Sequence, residues 1–161
     1  MRHATIVILA LGIALPSLAW SDWKYARWGQ NPDEVAAASG GAVKVLPAAA
    51  RKKHAAPWNS ETAAAGTYID GALRLRLSFS FDLKGGGLSC IVFEALDGSP
   101  NELLKKMFVS QNGPPQSANN DKTLGMETLA WSSPKDQVGV TLMSEHSFAT
   151  QCKPGTNPPV E

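Results

Sequence analysis

The chain has 161 residues, of which 43% are hydrophobic and 18% are charged, and its formal net charge at pH 7 is +1. This near balance argues against nucleic acid as a partner, because phosphate binding depends on a clear excess of basic residues. The length suits a single domain with one hydrophobic core.

The first residues have the pattern of a cleavable secretory signal peptide. Arg2 and His3 precede an apolar run over residues 4–15, and small residues follow at positions 17 and 19. The run is shorter than the roughly 20 apolar residues that cross a bilayer, so we do not expect a membrane-spanning protein. We therefore predict a signal peptide at residues 1–19 and a periplasmic or secreted product.

The segment after the predicted cleavage site is rich in aromatic residues. Trp20, Trp23, Tyr25 and Trp28 occur within nine positions. They could form an aromatic platform for a ligand, or they could anchor the segment to the core. Anchoring is favoured because tryptophan buries a large area, but Trp28 is kept as a candidate binding residue.

A short helix is predicted directly after this segment. Asn31 is a good N-cap, Pro32 suits the first helical position, and Glu34 completes a capping box. Two glycines at positions 40 and 41 should end the helix. A short strand is then expected over residues 43–46.

A compact basic cluster follows within a proline-bounded, alanine-rich stretch at residues 47–60, which we expect to be a surface loop or a short irregular helix. The candidate binding residues are Arg51, Lys52, Lys53, Trp58 and Trp28. Such a surface could attract an envelope protein or an anionic envelope component by charge. The alternative is a solvated charge run with no specific role.

A long β-hairpin dominates the middle of the chain. Residues 73–83 alternate apolar with polar side chains, which is typical of a strand with one face on a core and the other in water. Glycines at positions 85–87 supply a tight turn. They do not form a phosphate-binding loop, because no helix beginning with Lys-Ser or Lys-Thr follows them.

The position of the turn predicts the strand register. If residues 85 and 86 form its tip, Phe81 faces Cys90 and Phe79 faces Val92. This register places Cys90 on the core side. It also places Glu94 at the end of the apolar face.

Cys90 and Cys152 are the only cysteines in the chain. In an oxidising compartment, a lone pair of this kind is more often a structural disulfide than a redox site, and no Cys-x-x-Cys motif occurs. We therefore predict a disulfide between them.

A second helix is predicted after the hairpin. Residues 99–102 read Ser-Pro-Asn-Glu, a second capping box with proline at the first helical position. An apolar stripe then runs along the helix at i, i+3 and i+4 spacing, and Gly113 ends it.

The last third of the chain is predicted to be a loop followed by strands. A polar loop is expected at residues 116–122, and strands at residues 127–132, 137–143 and 147–153. The mature chain is thus expected to be a single α+β domain over residues 20–153, with a disordered tail at residues 154–161. The predicted architecture is an antiparallel sheet with two short helices on one face, and a tandem αβββ repeat is a further expectation.

The stretch Trp28-Gly29-Gln30-Asn31-Pro32-Asp33-Glu34-Val35 resembles small secreted bacterial proteins of uncharacterised function. The wider order of elements is similar to the beta-lactamase-inhibitor-like folds, which include small outer-membrane assembly lipoproteins. This resemblance implies a binding or scaffolding role rather than catalysis.

Sites for catalysis or metal binding are not evident. His54 and His146 are the only histidines of the predicted mature chain, and neither lies in a recognisable motif. We predict no catalytic residue, no metal site and no cofactor. The preferred hypothesis is a non-enzymatic periplasmic binding or protein-interaction module, and the alternative is a small envelope hydrolase that uses His54 or His146.

Overall fold

A computed structural model describes residues 23–156. The predicted signal peptide at residues 1–19 lies outside the described residues, as do Trp20 and positions 157–161 of the predicted tail.

The described chain contains two helices and nine strands. In order they are α1 (Pro32–Ala38), β1 (Val43–Val45), a short 3₁₀ turn (Ala48–Ala50), β2 (Lys52–His54), β3 (Ser60–Asp70), β4 (Leu73–Asp82), β5 (Leu88–Ala95), α2 (Asn101–Asn112), β6 (Ser117–Asp121), β7 (Met126–Ser132), β8 (Gln137–Leu142) and β9 (Phe148–Cys152).

All nine strands join one sheet in which every described pairing is antiparallel. The order is β1-β3-β4-β5-β9-β8-β7-β6, and β2 also pairs with β3, beyond the end of β1. The predicted α+β class and antiparallel sheet are confirmed.

The core lies on the face of the sheet that carries both helices. Val35 of α1 and Leu104 and Phe108 of α2 belong to the same buried cluster as Leu77 and Phe93 of the central strands. The rings of Phe93 and Phe108 meet edge to face with centroids 5.2 Å apart. Both helices therefore cover one face, as predicted.

The two predicted capping boxes have different outcomes. In α1 the Asn31 side chain accepts from the Glu34 backbone N–H at 3.0 Å, and the Glu34 carboxylate accepts from the Asn31 backbone N–H at 2.8 Å. The second box is wrong: α2 begins at Asn101, and Pro100 is its N-cap without a side-chain bond. The Ser99 hydroxyl instead donates to the carbonyl oxygen of Arg74 on β4, at 2.8 Å.

The predicted hairpin is confirmed, but its register was wrong by one residue. Ser80, rather than Phe81, lies opposite Cys90, because a bulge follows Ser80 and Phe81 pairs with Leu88. The turn is wider than a two-residue tip, since the Asp82 N–H donates to the Gly87 carbonyl and the Asp82 carboxylate accepts from Lys84. A shift of one residue moves a side chain to the other face of the sheet.

The predicted disulfide is confirmed, although on the other face. Cys90 and Cys152 lie directly opposite each other on β5 and β9 with Cα atoms 4.1 Å apart. They share the face of Ser80, while Ile91 faces the core. Glu94 likewise lies beside Arg76 instead of at the end of the apolar face.

Two segments predicted as loops are strands. Lys52–His54 forms β2 on the edge of β3, and Ser117–Asp121 forms β6 on the edge of β7. Both are polar and exposed, so hydrophobic alternation gave no signal for them; pairing with a neighbouring strand satisfies their backbone groups instead.

Candidate functional site

The predicted basic cluster lies at the edge of the sheet. We call Arg51, Lys52 and Lys53 the basic strand. The Arg51 Nε–H donates to the Leu46 carbonyl at 3.0 Å, and its Nη1 lies 3.5 Å from a carboxylate oxygen of Glu61. Lys52 and Lys53 are exposed. The structure therefore holds Arg51 against the fold and presents two lysine side chains to solvent.

Trp58 follows the basic strand in the turn that leads to β3. Its side chain is half-buried, and its backbone N–H donates to the Ala55 carbonyl at 3.0 Å. The next residue, Asn59, accepts a backbone hydrogen bond from Leu83 at 2.9 Å. Leu83 belongs to the β4–β5 turn and is 49% exposed. Trp58 thus lies at the end of the sheet where the central hairpin turns.

Trp28 has its hydrogen bonds elsewhere. Its indole Nε1–H donates to Oδ1 of Asp136 at 3.0 Å and lies 3.2 Å from the Lys135 carbonyl oxygen. Both acceptors are in the β7–β8 turn, and β3, β4, β5 and β9 separate β8 from β2 in the sheet. The structure does not combine Trp28 and the basic strand into one compact site.

His54 belongs to a row of hydroxyl contacts on the same face as the disulfide. Its Nε2 lies 3.0 Å from the Thr62 hydroxyl oxygen, which lies 3.1 Å from that of Ser80. Ser80 is fully buried. A substrate would have no access to its hydroxyl, so this row is better suited to holding β2 against β3 than to nucleophilic chemistry.

The other histidine lines a groove that the sequence did not reveal. The charged groove comprises Arg74 and Arg76 of β4, Glu94 of β5, Asp97 of the next loop, and Glu145 and His146 of the β8–β9 turn; it encloses about 320 Å³. An adjoining depression of about 330 Å³ shares Asp97 and Glu145 and ends at the start of α2. These volumes lie at the lower end of the range for small-molecule sites.

Glu94 is the centre of the charged groove. Its Oε2 accepts from Nη1 of Arg76 at 3.0 Å, and its Oε1 lies 4.0 Å from Nδ1 of His146. Arg74 donates from Nη2 to the Asp97 carbonyl. These contacts connect β4, β5, the loop after β5 and the β8–β9 turn, so they restrain the side chains at the floor of the groove.

Sequence reasoning missed this groove because the predicted register put Glu94 on the wrong face. The signal that could have located it is the alternation of Arg74 and Arg76 on the polar face of β4. In the correct register that face continues onto Glu94.

The described residues carry no evidence of a metal centre or a membrane span. Residues 23–156 contain no group of three or more His, Cys, Asp or Glu side chains that could hold a metal ion. Neither helix in this range is long and apolar enough to cross a membrane.

Comparison with protein-family models, with curated proteins and with solved structures found no match for the chain.

Proposed function

We propose that this protein is a non-enzymatic periplasmic or secreted binding module whose basic strand meets an anionic envelope component. The observation that supports the proposal is the exposure of Lys52 and Lys53 at an edge of the sheet. Exposed lysine side chains attract an anionic surface by charge. Arg51 contributes by fixing the chain just before β2, through its contacts with the Leu46 carbonyl and the Glu61 carboxylate.

The proposed compartment rests on two features of different kinds. The predicted signal peptide is a property of the sequence, and the Cys90–Cys152 disulfide is a property of the structure. Disulfides persist in oxidising environments such as the bacterial periplasm. Together they support an extracytoplasmic location.

The proposed scaffold is a tandem repeat of the beta-lactamase-inhibitor-like kind. Five antiparallel strands follow α1 and four follow α2, rather than the three expected after each, and the last strands of the two halves, β5 and β9, pair at the middle of the sheet. Cys90 and Cys152 occupy this central pairing. The strand order supports a repeat whose two halves pair through their last strands.

The binding proposal is tested with vesicles that contain anionic phospholipid and with matched neutral vesicles. We expect the oxidised protein to bind only the anionic vesicles, and added salt to weaken binding. The double variant K52Q/K53Q should bind about 10- to 30-fold more weakly, since each lysine near an anionic surface contributes about 1 kcal/mol.

The matched control is K106Q/K122Q, which removes the same charge from exposed positions on α2 and the β6–β7 turn. Equal losses in the two double variants would show that net charge, rather than the basic strand, governs binding. Absence of binding to anionic vesicles would contradict lipid as the anionic component, and crosslinked capture from envelope extract with the same two variants would then test an envelope protein.

A second candidate function is a small envelope hydrolase that uses His146. The contact between His146 and Glu94 in the charged groove favours it, because a carboxylate can orient a histidine base. Hydrolysis of p-nitrophenyl acetate should fall in H146A and persist in H54A. Equal rates in the wild type and H146A would dismiss this candidate.

A further inference from the structure

The charged groove carries charges of both signs on different elements. Arg74 and Arg76 line it from β4, Glu145 lines it from the β8–β9 turn, and Asp97 lies beside Arg74 in the loop after β5. The Asp97 and Glu145 side chains are exposed to solvent. A ligand of a single charge would be attracted by one side and repelled by the other, whereas a ligand with two opposite charges satisfies both.

The strand spacing sets the distance between those two charges. Arg76 pairs with Glu94, and Glu94 pairs with Phe148, which follows the β8–β9 turn. Neighbouring strands lie about 4.7–4.9 Å apart, so the groove from β4 to this turn is roughly 9–10 Å wide. An extended chain advances about 3.3–3.6 Å per residue, and three residues therefore span roughly 10 Å.

We propose that the charged groove binds a short linear peptide of about three residues through its two free termini. The carboxylate meets the guanidinium groups of Arg76 and Arg74, and the ammonium group meets the carboxylate of Glu145. A single amino acid carries the same charges but too close together to reach both sides.

The existing contacts prepare the arginines for this role. A guanidinium has five N–H donors, and the Glu94 contact at 3.0 Å uses Nη1 of Arg76. This contact restrains the Arg76 guanidinium before the ligand arrives, which reduces the entropy lost on binding. The Asp97 carbonyl restrains Arg74 in the same way.

This inference is independent of the proposed function. The groove lies at the Arg74–Arg76 end of β4, whereas the basic strand is joined through β3 to the Ser80–Asp82 end. A failure of either proposal leaves the other in place, and the variant K53Q tests the separation directly.

The experiment is a titration of the ¹⁵N-labelled full domain with trialanine, followed by the amide signals of residues 74–76, 94–97 and 145–146. The matched ligands are alanine, N-acetyl-trialanine and trialanine amide. We expect saturable shifts at the groove with trialanine at millimolar concentration. Blocking either terminus should weaken binding about tenfold, the size expected for one charge-assisted contact.

Two variants assign the termini. In R76Q, the preference for trialanine over its amide should shrink, because only Arg74 remains to meet the carboxylate. In E145Q, trialanine and its acetylated form should bind equally weakly. K53Q should bind trialanine like the wild type. The proposal is overturned by an absence of saturable shifts in the wild type, by equal binding of all four ligands, or by a loss in K53Q equal to that in R76Q.

Discussion

The indole Nε1–H of Trp28 donates to Oδ1 of Asp136 at 3.0 Å, across 108 positions of the chain. Asp136 is only 7% exposed. A residue predicted from sequence as part of a binding surface therefore also fixes the N-terminal segment to the β7–β8 turn. Its binding role remains a prediction, and its hydrogen bond has a consequence for stability.

The variant W28F should lower the free energy of unfolding by about 1–3 kcal/mol, because it leaves a buried carboxylate without this donor. Urea denaturation measures the change. W58F is the comparison, because within residues 23–156 the Trp58 indole makes no side-chain hydrogen bond. W58F should therefore lower the free energy of unfolding by less than W28F does. A cost in W58F as large as that in W28F would rule out the hydrogen bond as the cause.

The glycines of the β4–β5 turn should differ in their tolerance of a methyl group. A Cβ on Gly87 would lie 2.7 Å from the Gly29 Cα and 2.8 Å from the Gly29 carbonyl oxygen, whereas one on Gly85 would have only the Asp82 carboxylate nearby, at 3.9 Å. We expect G87A to lower the free energy of unfolding by about 1–3 kcal/mol through overpacking. In G85A the free energy of unfolding should stay within about 0.5 kcal/mol of the wild-type value. Thermal unfolding of the two variants checks this, and similar melting temperatures would contradict the close approach.

The disulfide should contribute strongly to stability. It joins residues 62 positions apart, and the chain-entropy relation gives about 4 kcal/mol for a loop of this length. Urea denaturation of C90A/C152A should show that loss in the free energy of unfolding. A loss below about 1 kcal/mol would show that the denatured chain is restricted by something other than the crosslink.

The ion pair between α2 and β7 should make the stability of the fold depend on pH in the alkaline range. The Lys105 Nζ lies 2.7 Å from Oε1 of Glu127, and this hydrogen bond raises the pKa of Lys105 above its ordinary value of 10.5. Because the pKa is higher in the folded state, the stabilisation is fully present below about pH 10.5 and is lost as the pH rises through the folded-state value.

The pair is partly exposed, so solvent screening limits its contribution to the free energy of unfolding to roughly 0.2–1 kcal/mol. The free energy of unfolding of K105Q should be lower than that of the wild type by this amount at about pH 8, and the difference should shrink at about pH 11. K106Q, at the exposed neighbouring position of α2, serves as the control. A K105Q deficit that stays constant with pH would contradict the assignment.

The candidate sites were predictable to different degrees. The basic residues were identified from composition, but their placement on an edge strand was not, because polar three-residue strands carry no periodic signal. The charged groove was missed altogether, since its residues come from β4, β5 and the β8–β9 turn and meet only in the correct register. A bulge after Ser80 sets that register, and the glycines alone do not reveal it.

Sequence patterns were enough to predict the α+β class, the central hairpin, the first capped helix and the disulfide. Each of these depends on local periodicity, on local capping or on there being only two cysteines. Long-range contacts set which face carries the disulfide, where Glu94 meets Arg76 and His146, and whether Ser99 caps α2 or binds the Arg74 backbone. The first two depend on strand register, which a one-residue shift reverses, and the third depends on competition between distant backbone partners.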